Sequence, residues 1–180
     1  MSVVKTFVCI FFLAVLDSND YTNMNTSFLT STSDLNTSIV YESEYKSIIT
    51  RDSLTFRMYN YCNGPQHFYK NLQIHVFQQG KYDIFINSTE HLYVSLYKDY
   101  FYPLDIDLNS LFRLDERCEI NQIKFTRNFH SNETYDLIIS TVYSNLTFSF
   151  SLILTGPSHI NLNQTSVYTI LLFFHVIFNS

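Results

Sequence analysis

Residues 72–87 read LQIHVFQQGKYDIFIN, two runs in which apolar and polar side chains take turns on either side of a short polar link. In the first run Leu72, Ile74 and Val76 point one way and Gln73, His75 and Phe77 the other. In the second, Tyr82, Ile84 and Ile86 oppose Asp83, Phe85 and Asn87. Successive side chains alternate across a strand, so a period of two with one apolar face predicts half-buried β-strands. The Gln79-Gly80 turn between them predicts a hairpin.

The pattern continues on both sides. Leu54 to Asn60 predicts a first strand, and Leu92, Val94 and Leu96 alternate with Tyr93, Ser95 and Tyr97. Ile123 and Phe125 mark another run, and Tyr135, Leu137, Ile139 and Thr141 alternate with Asp136, Ile138, Ser140 and Val142. Past a turn at Ser144-Asn145, Phe148, Phe150, Leu152 and Leu154 alternate with Thr147, Ser149, Ser151 and Ile153. Alanine occurs once, at Ala14, whereas 17 Phe and 14 Tyr accompany abundant Ile, Val and Thr, a balance that favours strand over helix. Short strands with no helix-length segments between them predict an all-β fold, an antiparallel two-sheet β-sandwich over residues 53–161 with these inward positions as its core. Residues 19–52, rich in Ser, Thr, Asn and Asp, predict a polar N-terminal arm.

Both ends carry processing signals. Lys5 followed by the apolar run Thr6–Leu16 predicts a signal peptide over 1–18, too short to span a bilayer and cut after Ser18. Its removal takes Cys9 and leaves Cys62 and Cys118, an even pair in an oxidising compartment. A disulfide between them would stabilise by about 3 to 4 kcal/mol through loop closure; the alternative is two buried thiols. At the other end, residues 162–180 contain the apolar run Val167–Phe178, which fits either a lipid-anchor signal placed after Ser158 or a final strand. Sequons begin at Asn25, Asn36, Asn87, Asn132, Asn145 and Asn163. Chance alone would supply about three in so Asn- and Thr-rich a chain, so the six support a secreted or cell-surface glycoprotein in combination with the leader.

Composition removes several function classes. The three glycines, Gly64, Gly80 and Gly156, are too scattered for a nucleotide-phosphate loop. A net charge of -5 without a Lys/Arg cluster leaves no footprint for nucleic acid.

Several positions together resemble a known module. They are Phe68-Tyr69, Leu72-x-Ile74-x-Val76, Gly80-x-Tyr82, Leu96-Tyr97 with Phe101 and Pro103, Thr134-Tyr135-x-Leu137-Ile138-Ile139-Ser140-Thr141, Ser144-x-Leu146-Thr147, Phe150 and Gly156-Pro157. This framework, over Leu54 to Asn161, resembles the secreted repeat modules of some invertebrate surface proteins, which are similar to the pre-peptidase C-terminal (PPC) domains of secreted bacterial proteases. The resemblance implies a small jelly roll acting as a non-catalytic adhesion or binding module. It also implies a calcium-binding acidic run in some members. Here that run, Asp115-Glu116-Arg117-Cys118-Glu119, is broken by Arg117, so Asp115 and Glu116, with Asp105 and Asp107 nearby in sequence, form a weak calcium set and no other cofactor is implied.

Enzyme signatures are missing from the sequence. The six histidines form no His-x-His or His-Glu-x-x-His pattern and read as surface or turn residues, and no Gly-x-Ser-x-Gly elbow presents a nucleophile. Asp105/Asp107 and Asp115/Glu119 are the carboxylate pairs a glycosidase reading would use, with nothing to raise the pKa of one member. The aromatic stretch Tyr97-Lys98-Asp99-Tyr100-Phe101-Tyr102-Pro103 is the candidate ligand-contact loop, in which Tyr97, Tyr100, Phe101 and Tyr102 either meet a glycan or protein or cap the sandwich. The sequence therefore predicts an extracellular, non-enzymatic binding or adhesion module whose partner is a glycan or protein, attached to a membrane through the C-terminal tail if that tail is an anchor signal and not a final strand. A structural coat component is the alternative, and a secreted hydrolase ranks behind both.

Overall fold

A computed structural model describes residues 24–30, 39–57, 65–114 and 120–164, the first of these segments as backbone alone. The described residues contain eleven strands and no helix: β1 (Met24–Thr30), β2 (Ile39–Ile49), β3 (Leu54–Arg57), β4 (Gln66–Val76), β5 (Gly80–Ser88), β6 (Leu92–Lys98), β7 (Ser110–Arg113), β8 (Gln122–Phe129), β9 (Thr134–Thr141), β10 (Phe148–Gly156) and β11 (Ile160–Gln164). Sheet A has the order β1-β2-β10-β5-β8 and sheet B the order β11-β4-β9-β6-β7, with β3 also on β4. Every pairing is antiparallel.

The connectivity is that of a jelly roll. Apart from β1, β3 and β11, the strands pair as nested couples, first with last: β2 with β10, β4 with β9, β5 with β8 and β6 with β7. This is a long antiparallel ribbon rolled into two sheets, and it corrects the expected hairpin at residues 72–87. β4 and β5 lie in opposite sheets, joined by an arch whose apolar faces meet across the interior. The Tyr82 hydroxyl fixes the arch, donating to Gln78 O at 2.7 Å and lying 2.8 Å from Ser158 Oγ, which in turn accepts from Gln78 N.

The inward positions form the core between the sheets. Leu72, Ile74, Val76, Leu92, Val94, Leu96, Leu137 and Ile139 from sheet B meet Tyr82, Ile84, Ile86, Phe150, Leu152 and Leu154 from sheet A. At the open side, Phe112 stacks on Phe125 (4.4 Å between centroids, 21° between planes) and Arg127 lies over Phe112, closing the gap between β7 and β8.

Three further expectations are corrected. The polar arm of residues 19–52 contains β1 and β2, and β2 is an interior strand of sheet A held between β1 and β10. Its inward positions are Ser43, Tyr45, Ser47 and Ile49, so serines dilute the apolar period. The sandwich accordingly exceeds the predicted span of 53–161 at both ends, and the first part of the 162–180 tail belongs to β11. His67 is not a surface residue: it is buried in sheet B with Nδ1 3.1 Å from Thr141 O.

Candidate functional site

The outer face of sheet B carries a second core that the alternation did not announce. Phe56, Tyr69, Tyr93, Tyr97, Phe101, Ile106 and Ile138 pack together there, covered by the loop from Asp99 to Asn109. Phe101 is the hub: its ring lies 5.3 Å from Tyr69 and 5.7 Å from Phe56, both edge-on, and 4.9 Å from Tyr97. Such edge-to-face contacts add about 0.5–1.5 kcal/mol each to the area they bury.

The loop is an Ω-type excursion whose two ends meet. Lys98 N donates to Asn109 O at 2.9 Å, and the terminal residues Asp99 (φ 66°) and Asn109 (φ 60°) adopt the left-handed conformation that Asp and Asn tolerate best among side-chain-bearing residues. Three polar groups then fasten it. Asp136 Oδ2 accepts from Phe101 N at 2.8 Å and from Asn71 Nδ2 at 2.9 Å. The Tyr97 hydroxyl donates to Ile106 O at 2.9 Å, and Arg113 also donates to Ile106 O while pairing with Asp107 at 2.8 Å. At the loop base Lys98 Nζ meets Glu133 Oε1 at 2.6 Å, and the Tyr135 hydroxyl donates to Glu133 Oε2.

The electrostatics follow burial. Desolvation pushes the Asp136 carboxyl up, against the bonds from Asn71 and Phe101 that favour its charge. The same burial, with the Asp136 charge second, raises Tyr69. Burial, reinforced by the bond to Glu133, pushes Tyr135 up to about 12. The bond from Lys98 holds Glu133 below its ordinary value.

The structure divides the four aromatic candidates. Tyr97 and Phe101 belong to the second core, whereas Tyr100 is 47% exposed and Tyr102 half-buried. Leu104, Leu108 and Leu111, which the sequence reading passed over, are also exposed on the same excursion and the strand after it. Asp105 and Asp107 have intramolecular duties: Asp105 Oδ1 accepts from Asp107 N, and Asp107 holds Arg113. No cluster of three or more His, Cys, Asp or Glu side chains suited to a metal ion occurs among the described residues. Asp115, Glu116, Cys62, Cys118 and Asn36 lie outside the described residues, and Asn25 sits in β1. Asn87, Asn132, Asn145 and Asn163 are all exposed. Asp136, Asn71 and Arg113, the residues that fix the loop, carried no sequence signal beyond their polarity.

No family model matches the chain, and no curated protein does. Among solved structures it is similar to those titled infectious bursal disease virus Gt strain (12% identity, 85% of this chain, 40% of that one, TM-score 0.23) and infectious bursal disease virus VP2 subviral particle (12%, 84%, 39%, 0.23). The chain thus spans about two-fifths of the length of these structures. The jelly-roll assignment rests on the nested strand pairing above.

Proposed function

We propose that this chain is an extracellular, non-catalytic binding or adhesion module that recognises its partner through the loop from Asp99 to Asn109. The observation that carries the reading is the clamped loop, in which a buried carboxylate and a buried aromatic hub hold the backbone while Tyr100, Leu104 and Leu108 remain exposed. Surface apolar groups on a backbone already fixed bind without the entropic cost of ordering the loop. The leucines beside Tyr100 favour a protein surface over a sugar, whose ligands pair with rings and hydrogen-bonding groups.

The secretory reading draws support from the exposure of the four described sequons outside β1. The segments containing Cys62 and Cys118 are flanked by Arg57 and Pro65 and by Leu114 and Ile120, all at one end of the sandwich, which suits a disulfide between them. β11 pairs with β4 as far as Leu72, and β3 takes the same edge from Tyr69, so Lys70 and Asn71 are the only positions between them on that edge. This favours an anchor signal over a continuation of β11 for the apolar run beyond. Release from cells by a phosphoinositide-specific phospholipase tests the anchor.

For the binding role the test is a multimerised, fluorescently labelled domain applied to intact cells. Staining that is lost in Tyr100→Ala/Leu104→Ser supports the reading, and its sensitivity to protease or to glycosidase treatment of the cells separates a protein from a glycan. Equal staining by wild type and variant, or none by either, overturns it and returns the sandwich to a structural coat.

A further inference from the structure

The outer face of sheet A is hydrophilic along most of its rows, which present Glu42, Glu44, Lys46, Lys124 and Thr126. One aromatic interrupts it. Phe85 in β5 is half-buried, with Ile153 of β10 opposite it on one side and Lys124 of β8 on the other. Two residues further along the same strand face stands Asn87, exposed, about 7 Å on by strand geometry. The strand ends there in a turn in which Glu90 N donates to Ser88 Oγ and Thr89 N to Ser149 O. Phe85, Asn87 and Thr89 thus set a half-buried ring, an exposed amide and an exposed hydroxyl at intervals of two.

The same order recurs at the same end of the sandwich. Tyr143, 46% exposed, precedes Asn145 and Thr147 at the same spacing in the connection from β9 to β10. Asn145 itself has φ 58°, in the left-handed region, and the Tyr143 ring lies 5.9 Å from that of His91. Asn132 and Asn163 differ, with His130 and Asn161 two residues before them.

A pyranose carries a patch of C–H groups on one face, and an aromatic ring beneath it removes apolar area from water and engages those C–H groups. We propose that Asn87 and Asn145 are glycan-seating sites, in which the first sugar of an N-linked glycan packs on Phe85 and on Tyr143 and completes the outer surface there. The proposal rests on the secretory reading. In the modification, Asn Nδ2 bonds to C1 of the sugar and the bond from C1 to the oxygen of a polyprenyl-diphosphate carrier breaks. The diphosphate leaves with the electron pair and the amide gives up one proton to solvent.

The test is the full chain secreted from glycosylating eukaryotic cells, with site occupancy read by peptide mass spectrometry and Tm by calorimetry. Asn87→Gln is compared in the wild-type and Phe85→Ser backgrounds, and Asn145→Gln in the wild-type and Tyr143→Ser backgrounds. Both sites should be occupied, and each Asn→Gln change should lower Tm by about 2–4 °C beside the ring and not without it. Should Phe85→Ser fail to fold, the Tyr143 pair, on an exposed turn, decides. Occupied sites whose loss costs the same Tm with or without the ring overturn this proposal alone, as does vacancy at Asn87 and Asn145 beside occupied sequons elsewhere. Carbohydrate at none of the sequons overturns the secretory reading as well.

Discussion

Asp136 in β9 holds the main-chain nitrogen of Phe101 at 2.8 Å, so a carboxylate only 3% exposed fixes the middle of an aromatic loop to the face of a sheet. The arrangement is unusual in cost: Asp136 Oδ1 and Asn71 Oδ1 are both buried without a hydrogen bond among the described residues. A buried polar atom left unbonded costs about 1–3 kcal/mol, so the site trades stability for a fixed loop geometry.

Substitution at Asp136 separates charge from hydrogen bonding. Asp136→Asn keeps an acceptor for Phe101 and supplies a donor for Asn71 Oδ1, so its Tm at neutral pH should equal or exceed that of the wild type. Asp136→Leu orphans both donors and should destabilise by about 2–4 kcal/mol in urea titration. Equal stability of the two variants would remove the carboxylate from the account.

The pH dependence has a definite sign. Because burial raises the Asp136 pKa in the folded state, the folded chain binds the proton more tightly than the unfolded one between the two pKa values. Its contribution to stability is therefore fully present below the ordinary carboxylate range and is lost as pH rises through the elevated folded value. Wild type should lose stability relative to Asp136→Asn across that window. Parallel pH profiles for the two proteins would contradict this.

Phe101→Ala and Tyr100→Ala should part company. Phe101 is the hub of the second core, so its truncation should cost about 3–5 kcal/mol in chemical denaturation. Tyr100→Ala should change stability by less than about 0.5 kcal/mol and act on cell staining instead.

Gly156 has no room for a side chain. A Cβ there would lie 2.0 Å from Cδ1 of the buried Tyr82 ring, which cannot retreat because its hydroxyl is tied to the Gln78–Ser158 arch. Gly156→Ala should destabilise by about 3 kcal/mol, measured as a fall in denaturation midpoint. A neutral outcome would mean that Tyr82 is not seated where β10 ends.

The face each strand buries was legible and its neighbours were not. Leu72, Ile74 and Val76 alternate wherever β4 is placed, and a short polar link serves a hairpin or an arch between sheets equally well. β2 escaped because Ser43 and Ser47 occupy two of its inward positions. The second core had left a trace: Tyr93 and Tyr97 give β6 apolar side chains on both faces, the mark of a strand covered twice, and Ile138 adds one on the far face of β9. Asp136 left none, since an acid between Tyr135 and Leu137 reads as a solvent-facing residue until Phe101 is found above it.

Amide hydrogen exchange at Phe101 addresses the clamped loop most directly. With its N–H bonded to the buried Asp136 carboxylate, Phe101 should exchange nearly as slowly as the β9 amides beneath it, and that protection should vanish in Asp136→Leu. Exchange at the rate of an open, unstructured segment in the wild-type protein would contradict the account.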